Sequence, residues 1–292
     1  MSLSKHLQSP EILSDITGKS FADIKKRIIA AGNEWYKTHP EEESLIRKNL
    51  TSLGKEDSDQ LVAAIQEGIL VHYAEKITAL SLSPEEFSQF LNTHIDYTDA
   101  SKILQENSQD TGILMATPHF GGVEFVTPTL SRMGHTTNVV LKFSTPELSA
   151  KIRKYSQNME DQGDFAPIHF IELGKNATGG ALDMYAALRR HEVLFTVFDE
   201  ETDHSQKVTL FGKEILGGAG LDKLIAPAKG FTKVYTVFMV RLDENSYKMV
   251  LKEIPADSPE PVQEMYNALE DMLTQYLEQW YFLHEEVPLV RQ

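Results

Sequence analysis

The sequence predicts an α/β fold with a central, mostly parallel or mixed sheet, flanking helices and a helical N-terminal layer. Residues 10–106 carry helical patterns almost throughout, whereas β-rich runs alternate with helical runs from Gly112 onward. Such alternation is typical of parallel strands that are connected through helices. A chain of 292 residues can bury a sizeable core, and no repeat or obvious linker interrupts it. We therefore expect a single domain, with residues 1–108 as the helical layer and residues 109–292 as the α/β core.

The helical layer is predicted from apolar periodicity and from helix-start signals. The run Ser83-Pro84-Glu85-Glu86 combines a capping serine, a proline at the first helical position and acidic residues in the first turn. Ile95-Asp96-Tyr97 is interpreted as a short edge strand. The predicted helices cover residues 21–36, 41–50, 58–82, 84–91 and 99–107.

The second half of the chain contains a series of β-rich runs and a closing helix. Ile113-Leu114-Met115-Ala116-Thr117 is an almost continuous apolar run, as expected of a buried strand. The predicted strands cover residues 112–117, 138–142, 168–171, 193–198, 207–211, 233–241 and 246–254, and the closing helix covers residues 259–283.

A histidine and a glutamate follow the first of these strands. His119 and Glu124 are separated by four residues, among them Gly121 and Gly122, which allow a sharp turn and a close approach of backbone to a ligand. A histidine in this position can take a proton from a hydroxyl or an amine. A glutamate in the first turn of a following helix, from Val123, can hold the imidazole in one tautomer. The alternative is a capped helix start beside a structural histidine.

Further motifs follow this His-Glu box in a fixed order. A strand ends in Lys142, a helix contains Arg153, a strand ends in Asp199, a later strand ends in Arg241, and the closing segment contains Glu278-Gln279-Trp280-Tyr281-Phe282-Leu283-His284. Together with Ala116-Thr117-Pro118 before His119, they resemble the lysophospholipid acyltransferase superfamily, and within it the late acyltransferases of lipid A biosynthesis. The resemblance runs from about Ile46 to about His284.

This resemblance implies direct acyl transfer in which His119 is the general base and Glu124 orients it. It also implies substrate contacts at Gly121, Gly122, Lys142, Arg153 and Asp199, with backbone amides around the two glycines near the oxyanion. Asp199 ends a β-type run, where open α/β sheets place functional groups, and could position substrate or hold a basic partner such as Arg153. The implied donor is an acyl group on acyl carrier protein or coenzyme A, and no further cofactor is expected.

Composition limits the possible functions. The formal net charge of −15 and the pI near 5.1 argue against nucleic acid and against electrostatic docking on anionic lipid. The absence of cysteine excludes disulfides, metal thiolates and a cysteine nucleophile. Asp199, Glu200, Glu201 and Asp203 lack the spacing of a calcium loop, so we expect no metal.

Positive charge is concentrated downstream of the box. Lys142, Lys151, Arg153 and Lys154 form a basic cluster that could dock a phosphate-bearing or acidic donor. Lysine stands at residue 142 where the resembled family usually has arginine, which weakens bidentate anion recognition. A solvated helix face is the alternative interpretation of this cluster.

The sequence predicts a soluble, cytoplasmic protein. The N-terminus lacks the apolar region of a signal peptide, and residues 61–82 are interrupted by charged residues. The resembled lipid A enzymes typically begin with a membrane helix and end in a basic segment, whereas this chain has Glu285-Glu286 there. We therefore expect a soluble or carrier-bound acceptor, as in secondary-metabolite biosynthesis. The alternatives are a non-catalytic carrier-binding homologue, an acyl-thioester hydrolase, or a lipid A-type acyltransferase.

Overall fold

The helical N-terminal layer is formed by seven helices in the described part of the chain. The computed structural model describes residues 2–107, 110–142, 145–173, 177–218 and 220–290. The helices are α1 (Leu3–Leu7), α2 (Pro10–Ile16), α3 (Phe21–Thr38), α4 (Pro40–Ser52), α5 (Asp59–Ala79), α6 (Pro84–His94) and α7 (Thr98–Asn107). The predicted start of α6 is confirmed, because Ser83 and Glu86 form a complete capping box.

A seven-stranded mixed sheet lies behind this layer, in the order β1-β9-β8-β2-β5-β3-β4. Only the β8–β9 pairing is antiparallel, and β6 and β7 form a separate hairpin. The strands are β1 (Ile95–Asp96), β2 (Gly112–Thr117), β3 (Thr137–Leu141), β4 (Ile168–Glu172), β5 (Val193–Val197), β6 (Gln206–Leu210), β7 (Lys213–Gly217), β8 (Thr232–Arg241) and β9 (Tyr247–Ile254). The remaining helices are α8 (Val126–Arg132), α9 (Pro146–Asp161), α10 (Ala177–Arg189), α11 (Leu221–Ala228) and α12 (Pro261–Gln275).

Strand β2 is buried along its whole length, which explains its apolar sequence. Successive side chains of a strand point to opposite faces. Leu114 and Ala116 join a core that includes the N-terminal helices and α12, whereas Ile113 and Met115 join a second core on the other face. The predicted α/β class, with its mostly parallel sheet and helical layer, is confirmed.

The closing helix is shorter than predicted, because the chain leaves the helix to contact the segment after β2. Helix α12 ends at Gln275, and two 3₁₀ turns follow at Leu277–Gln279 and Tyr281–His284. Trp280 lies between them in an extended conformation and forms a β-bridge with Phe120. Strand β7 was also missed by the sequence analysis, since its first two residues are charged.

A buried ion pair fastens the N-terminal layer to the segment after β2. Arg241, at the end of β8, donates two hydrogen bonds to the Glu75 carboxylate of α5, at 2.6 and 2.8 Å. The Tyr247 hydroxyl of β9 donates to the same carboxylate at 2.8 Å, and Arg241 Nη2 also donates to the carbonyl of Gly121 at 2.9 Å. Burial raises the pKa of the Glu75 carboxyl, and the Arg241 guanidinium opposes this rise. One carboxylate therefore connects α5, β8 and β9.

We predict that Glu75→Gln destabilises the fold strongly, because it leaves the buried Arg241 charge uncompensated. Removing one partner of a buried pair typically costs about 3–5 kcal/mol. Urea unfolding would measure the change, with the exposed Glu67→Gln on the same helix as the control, for which we expect a change within about 0.5 kcal/mol. A Glu75→Gln protein as stable as the Glu67→Gln control would contradict the structural role of the ion pair.

Candidate active site

Two neighbouring parallel strands carry the central pair of side chains. In the β2–β5 register Thr117 lies opposite Val197, so the residues two positions beyond each strand end emerge at the same edge of the sheet. Those residues are His119 and Asp199. The ring nitrogen Nδ1 of His119 lies 2.8 Å from Oδ1 of Asp199. The strand register therefore produces the pair.

Asp199 is held in one position by three hydrogen bonds. Its side chain is fully buried, and Oδ2 accepts from the backbone N–H of His119 at 2.8 Å and from the indole Nε1 of Trp280 at 3.0 Å. The carboxylate can only accept, so we assign the ring hydrogen of neutral His119 to Nδ1. The other nitrogen, Nε2, is then left with its lone pair, 3.4 Å from a carboxylate oxygen of Glu200.

The predicted partner of the histidine is corrected by this geometry. Glu124 makes no hydrogen bond to His119 within the described residues, and the group on the ring is Asp199. Gly121 has a positive φ of 56°, and a 3₁₀ turn that contains Glu124 begins at Val123. That carboxylate lies 4.0 Å from the ammonium of Lys76.

The electrostatics around His119 favour its protonated form. Burial of the ring lowers its pKa, but the charge and hydrogen bond of Asp199 outweigh this effect, and the carboxylates of Glu200 and Glu124 act in the same direction as Asp199. The pKa of His119 is therefore raised above its ordinary value. A base whose pKa is raised in this way binds the proton of its acceptor more tightly.

The N–H groups of Gly121 and Gly122 are not themselves available for the expected oxyanion site. The N–H of Gly121 donates to the carbonyl of Gln279 at 3.0 Å, and the N–H of Gly122 donates to the carbonyl of Met239 at 2.9 Å. Both donors are therefore already engaged. A Cβ on Gly121 would overlap the Met239 carbonyl, and one on Gly122 would press on the ring of Tyr247. The glycines allow the segment to pack against β8 and β9.

An apolar cavity of about 260 Å³ opens on one side of His119. Its walls come mainly from β3, β4, β5, α9 and the residues after β2. The lining includes Val139, Leu141, Ile152, Met159, Phe170 and Phe195, with His119 and Glu124 at its polar end. We call this space the apolar cavity. It can enclose an aliphatic group next to the imidazole.

A second space of about 490 Å³, which we call the acidic cleft, lies on another side of the same histidine. His119 and Glu124 line both spaces, so they form the boundary between them. The acidic cleft is lined by His72, Lys76, His119, Glu124, Glu200, Glu201, Tyr281, Phe282, Glu285, Glu286 and Pro288.

The two predicted basic contacts lie beside the apolar cavity and do not reach Asp199. Lys142 and Arg153 each follow a residue that lines this cavity, Leu141 and Ile152. The guanidinium of Arg153 lies 3.9 Å from a Glu172 oxygen, so the suggested pairing with Asp199 is wrong. Asp199 holds the histidine instead.

The sequence analysis named Asp199 but not its partner, and it missed the roles of the closing segment. Trp280, Tyr281 and Phe282 fall within the predicted closing helix. Trp280 instead donates to Asp199, and the rings of Tyr281 and Phe282 border the acidic cleft. The available signal was that His119 and Asp199 each lie just beyond the end of a predicted strand.

Among the described residues, no group of three histidine, aspartate or glutamate side chains is placed to hold a metal ion. None of the described helices is both long and apolar enough to cross a membrane.

Comparison with known proteins identifies the family. No curated protein sequence matches the chain. Residues 23–287 match the family model of the bacterial lipid A biosynthesis acyltransferases. This match covers most of the chain, including His119, Asp199 and Trp280. The chain therefore belongs to the bacterial lipid A biosynthesis acyltransferase family.

Proposed function

We propose that this protein transfers an acyl group from a thioester to a hydroxyl or amine, with His119 as the general base. Membership of the family supports an acyltransferase activity. The assignment of His119 as the general base rests on the 2.8 Å contact between its Nδ1 and the buried carboxylate of Asp199. This contact directs the basic nitrogen Nε2 towards the acidic cleft.

The proposed reaction begins with the acceptor beside Nε2 of His119. As the acceptor oxygen or nitrogen attacks the thioester carbonyl carbon, Nε2 takes its proton. Asp199 stabilises the imidazolium that forms and keeps the ring oriented. Collapse of the tetrahedral intermediate breaks the C–S bond, and the imidazolium returns the proton to the leaving thiolate. General-base catalysis of this kind contributes about 10²–10⁴-fold to the rate.

The two spaces beside His119 suggest separate places for the two substrates. The apolar cavity suits the acyl chain, because burying each methylene group contributes about 0.8 kcal/mol. The acidic cleft then receives the acceptor. His119 borders both, so a carbonyl at the mouth of the apolar cavity and a nucleophile in the cleft would meet at Nε2.

We propose that the donor is carried by acyl carrier protein or coenzyme A. The basic cluster supports this proposal, since Lys142, Lys151, Arg153 and Lys154 are all exposed. Lys142 and Arg153 each follow a residue that lines the apolar cavity. A donor whose phosphate binds at the basic cluster would therefore have its acyl chain close to the opening of this cavity. We also propose that the acceptor is a soluble or carrier-bound molecule, as in secondary-metabolite biosynthesis.

We predict that His119→Ala lowers the rate of acyl transfer by about 10²–10⁴-fold with the fold retained. Asp199→Asn should also reduce it by at least about 10²-fold, because an amide can stabilise the wrong tautomer and cannot stabilise the imidazolium. Glu124→Gln should have a smaller effect, since Glu124 does not bond to the ring. Intact-mass spectrometry of acyl-loaded carrier protein with amine and alcohol acceptors would measure all three. Activity of His119→Ala within about tenfold of the parent would refute the base assignment.

We predict a pH dependence that reflects the raised pKa of His119. Activity requires the neutral ring, so kcat/KM should fall on the acid side with an apparent pKa above that of ordinary histidine. Glu200→Gln removes a charge that raises this pKa, and the acid limb should therefore move to lower pH. Asp203→Asn on the same loop, outside the lining of the acidic cleft, is the control and should leave the limb in place. A shift to higher pH in Glu200→Gln would contradict this electrostatic account.

We predict that Val139→Phe shortens the acyl chain that the enzyme prefers. The larger ring would fill part of the apolar cavity, whereas Val71→Phe, outside this cavity, serves as the control. Competition among thioesters of increasing chain length would measure the preference. For the parent, each added methylene that is buried should increase kcat/KM by up to about fourfold, which corresponds to about 0.8 kcal/mol. An unchanged chain-length profile in Val139→Phe would show that the acyl chain binds elsewhere.

A further inference from the structure

We propose that the acidic cleft recognises a positively charged group on the acceptor. The acceptor would then carry both a nucleophilic hydroxyl or amine and a separate ammonium-type cation. This inference rests on the proposed function, because it takes the space beside Nε2 of His119 as the acceptor site. The inference specifies the chemical class of the acceptor that binds in the acidic cleft.

The cleft has a strong excess of negative charge. Its lining contains five glutamates and one lysine. The lysine, Lys76, is 4.0 Å from Glu124, and Glu286 is 3.3 Å from Lys48. Glu201 and Glu285 are exposed and have no ion-pair partner in the part of the chain that is described. Charges that line a cleft raise the local concentration of ions of the opposite sign.

A buried histidine provides a second, independent indication of a ligand. His72 is only 6% exposed, yet it lines the cleft and makes no hydrogen bond to any described residue. Burial lowers the pKa of His72 well below its ordinary value, and the neighbouring Arg241 and Lys76 charges act in the same direction. The ring is therefore neutral. A neutral ring that lines the cleft without a protein partner can accept a hydrogen bond from a ligand bound there.

Aromatic rings complete an environment suited to an ammonium group. Tyr281 and Phe282 line the cleft beside the glutamates. The Tyr281 hydroxyl is fixed by a 2.9 Å hydrogen bond with Tyr73, and its ring lies 4.6 Å from that of His72. Cations bind favourably over aromatic faces. Carboxylates and aromatic rings together therefore select a cation over a neutral group of the same shape.

The same charges disfavour an anionic occupant. A phosphate or carboxylate in the cleft would face Glu200 and Glu201 with few compensating cations nearby. A phosphate-bearing donor would therefore approach from the opening of the apolar cavity, where the basic cluster lies. The charge distribution thus separates the paths of donor and acceptor.

An isosteric pair of acceptors tests this inference. Dimethylammonio-butanol, whose N–H can donate to His72, and its carbon analogue, which has an isopropyl group in place of the dimethylammonium, differ in charge but hardly in shape. The corresponding primary amines form a second pair. The enzyme would receive equal amounts of both members of a pair with the octanoyl thioester of N-acetylcysteamine, and mass spectrometry would give the product ratio. We expect the cationic member to be preferred by about tenfold.

The double variant Glu201→Gln with Glu285→Gln tests whether the cleft causes this preference. It should reduce the product ratio by a factor of about three to ten. The matched control, Glu11→Gln with Glu106→Gln, removes the same charge from exposed positions outside the cleft and should keep the parent ratio. A parent ratio near one, or an equal ratio in the two double variants, would overturn the inference while leaving the acyltransferase proposal intact.

A binding measurement separates this inference from the proposed function. Calorimetric titration with butyldimethylammonium, which keeps the donating N–H but forms no stable acyl product, requires no turnover. We expect millimolar binding that weakens with added salt and with the cleft variant, but not with the control variant. No binding by the parent would overturn the inference. Binding without acylation of any acceptor would support cation recognition and count against the proposed function.

Discussion

The site depends on the parallel pairing of β2 with β5. The register that sets Thr117 opposite Val197 also brings His119 next to Asp199, two residues beyond the ends of the strands. A shift of one residue would move the aspartate by about 3.3 Å along the strand direction and turn its side chain to the other face. The backbone N–H of His119 and the indole of Trp280 then hold the carboxylate in place. Orientation of the imidazole is therefore a property of the sheet.

The helical layer contributes to the site as well as covering the sheet. Helix α5 supplies Glu75 to the buried ion pair with Arg241, and it also supplies His72 and Lys76 to the acidic cleft. Because Arg241 bonds to the carbonyl of Gly121, the same ion pair supports the segment that carries His119. The apolar cavity is built from other elements, chiefly β3, β4 and α9. Two spaces of opposite character therefore meet at one histidine.

Local sequence patterns predicted most of the elements but not the central contact. The bounds of β2 were predicted to the residue, because its apolar run is bounded by Gly112 and Pro118. Asp199 was recognised as a strand-end aspartate, yet its partner depends on the order of strands in the sheet, which no local pattern contains. Glu124 is nearer to His119 in sequence, but it makes no hydrogen bond to the ring among the described residues and acts on it only through its charge.

The misjudged closing segment has a similar explanation. Helical periodicity continues past Gln275, but contacts with the segment after β2 outweigh it. The backbone N–H of Tyr281 donates to the carbonyl of His119 at 2.9 Å, and Trp280 becomes extended so that its indole reaches Asp199. Tertiary contacts of this kind override the helical propensity of the segment, because differences in propensity between ordinary residues are small.

The central claim is that Asp199 fixes His119 as the Nδ1–H tautomer, with Nε2 free to act as the base. NMR of the ring nitrogens in histidine-labelled protein measures both the tautomer and the pKa. The account predicts a hydrogen on Nδ1 of neutral His119, a pKa above that of ordinary histidine, and a fall of this pKa in Asp199→Asn. A hydrogen on Nε2 of neutral His119, or a pKa that is unchanged in Asp199→Asn, would contradict it.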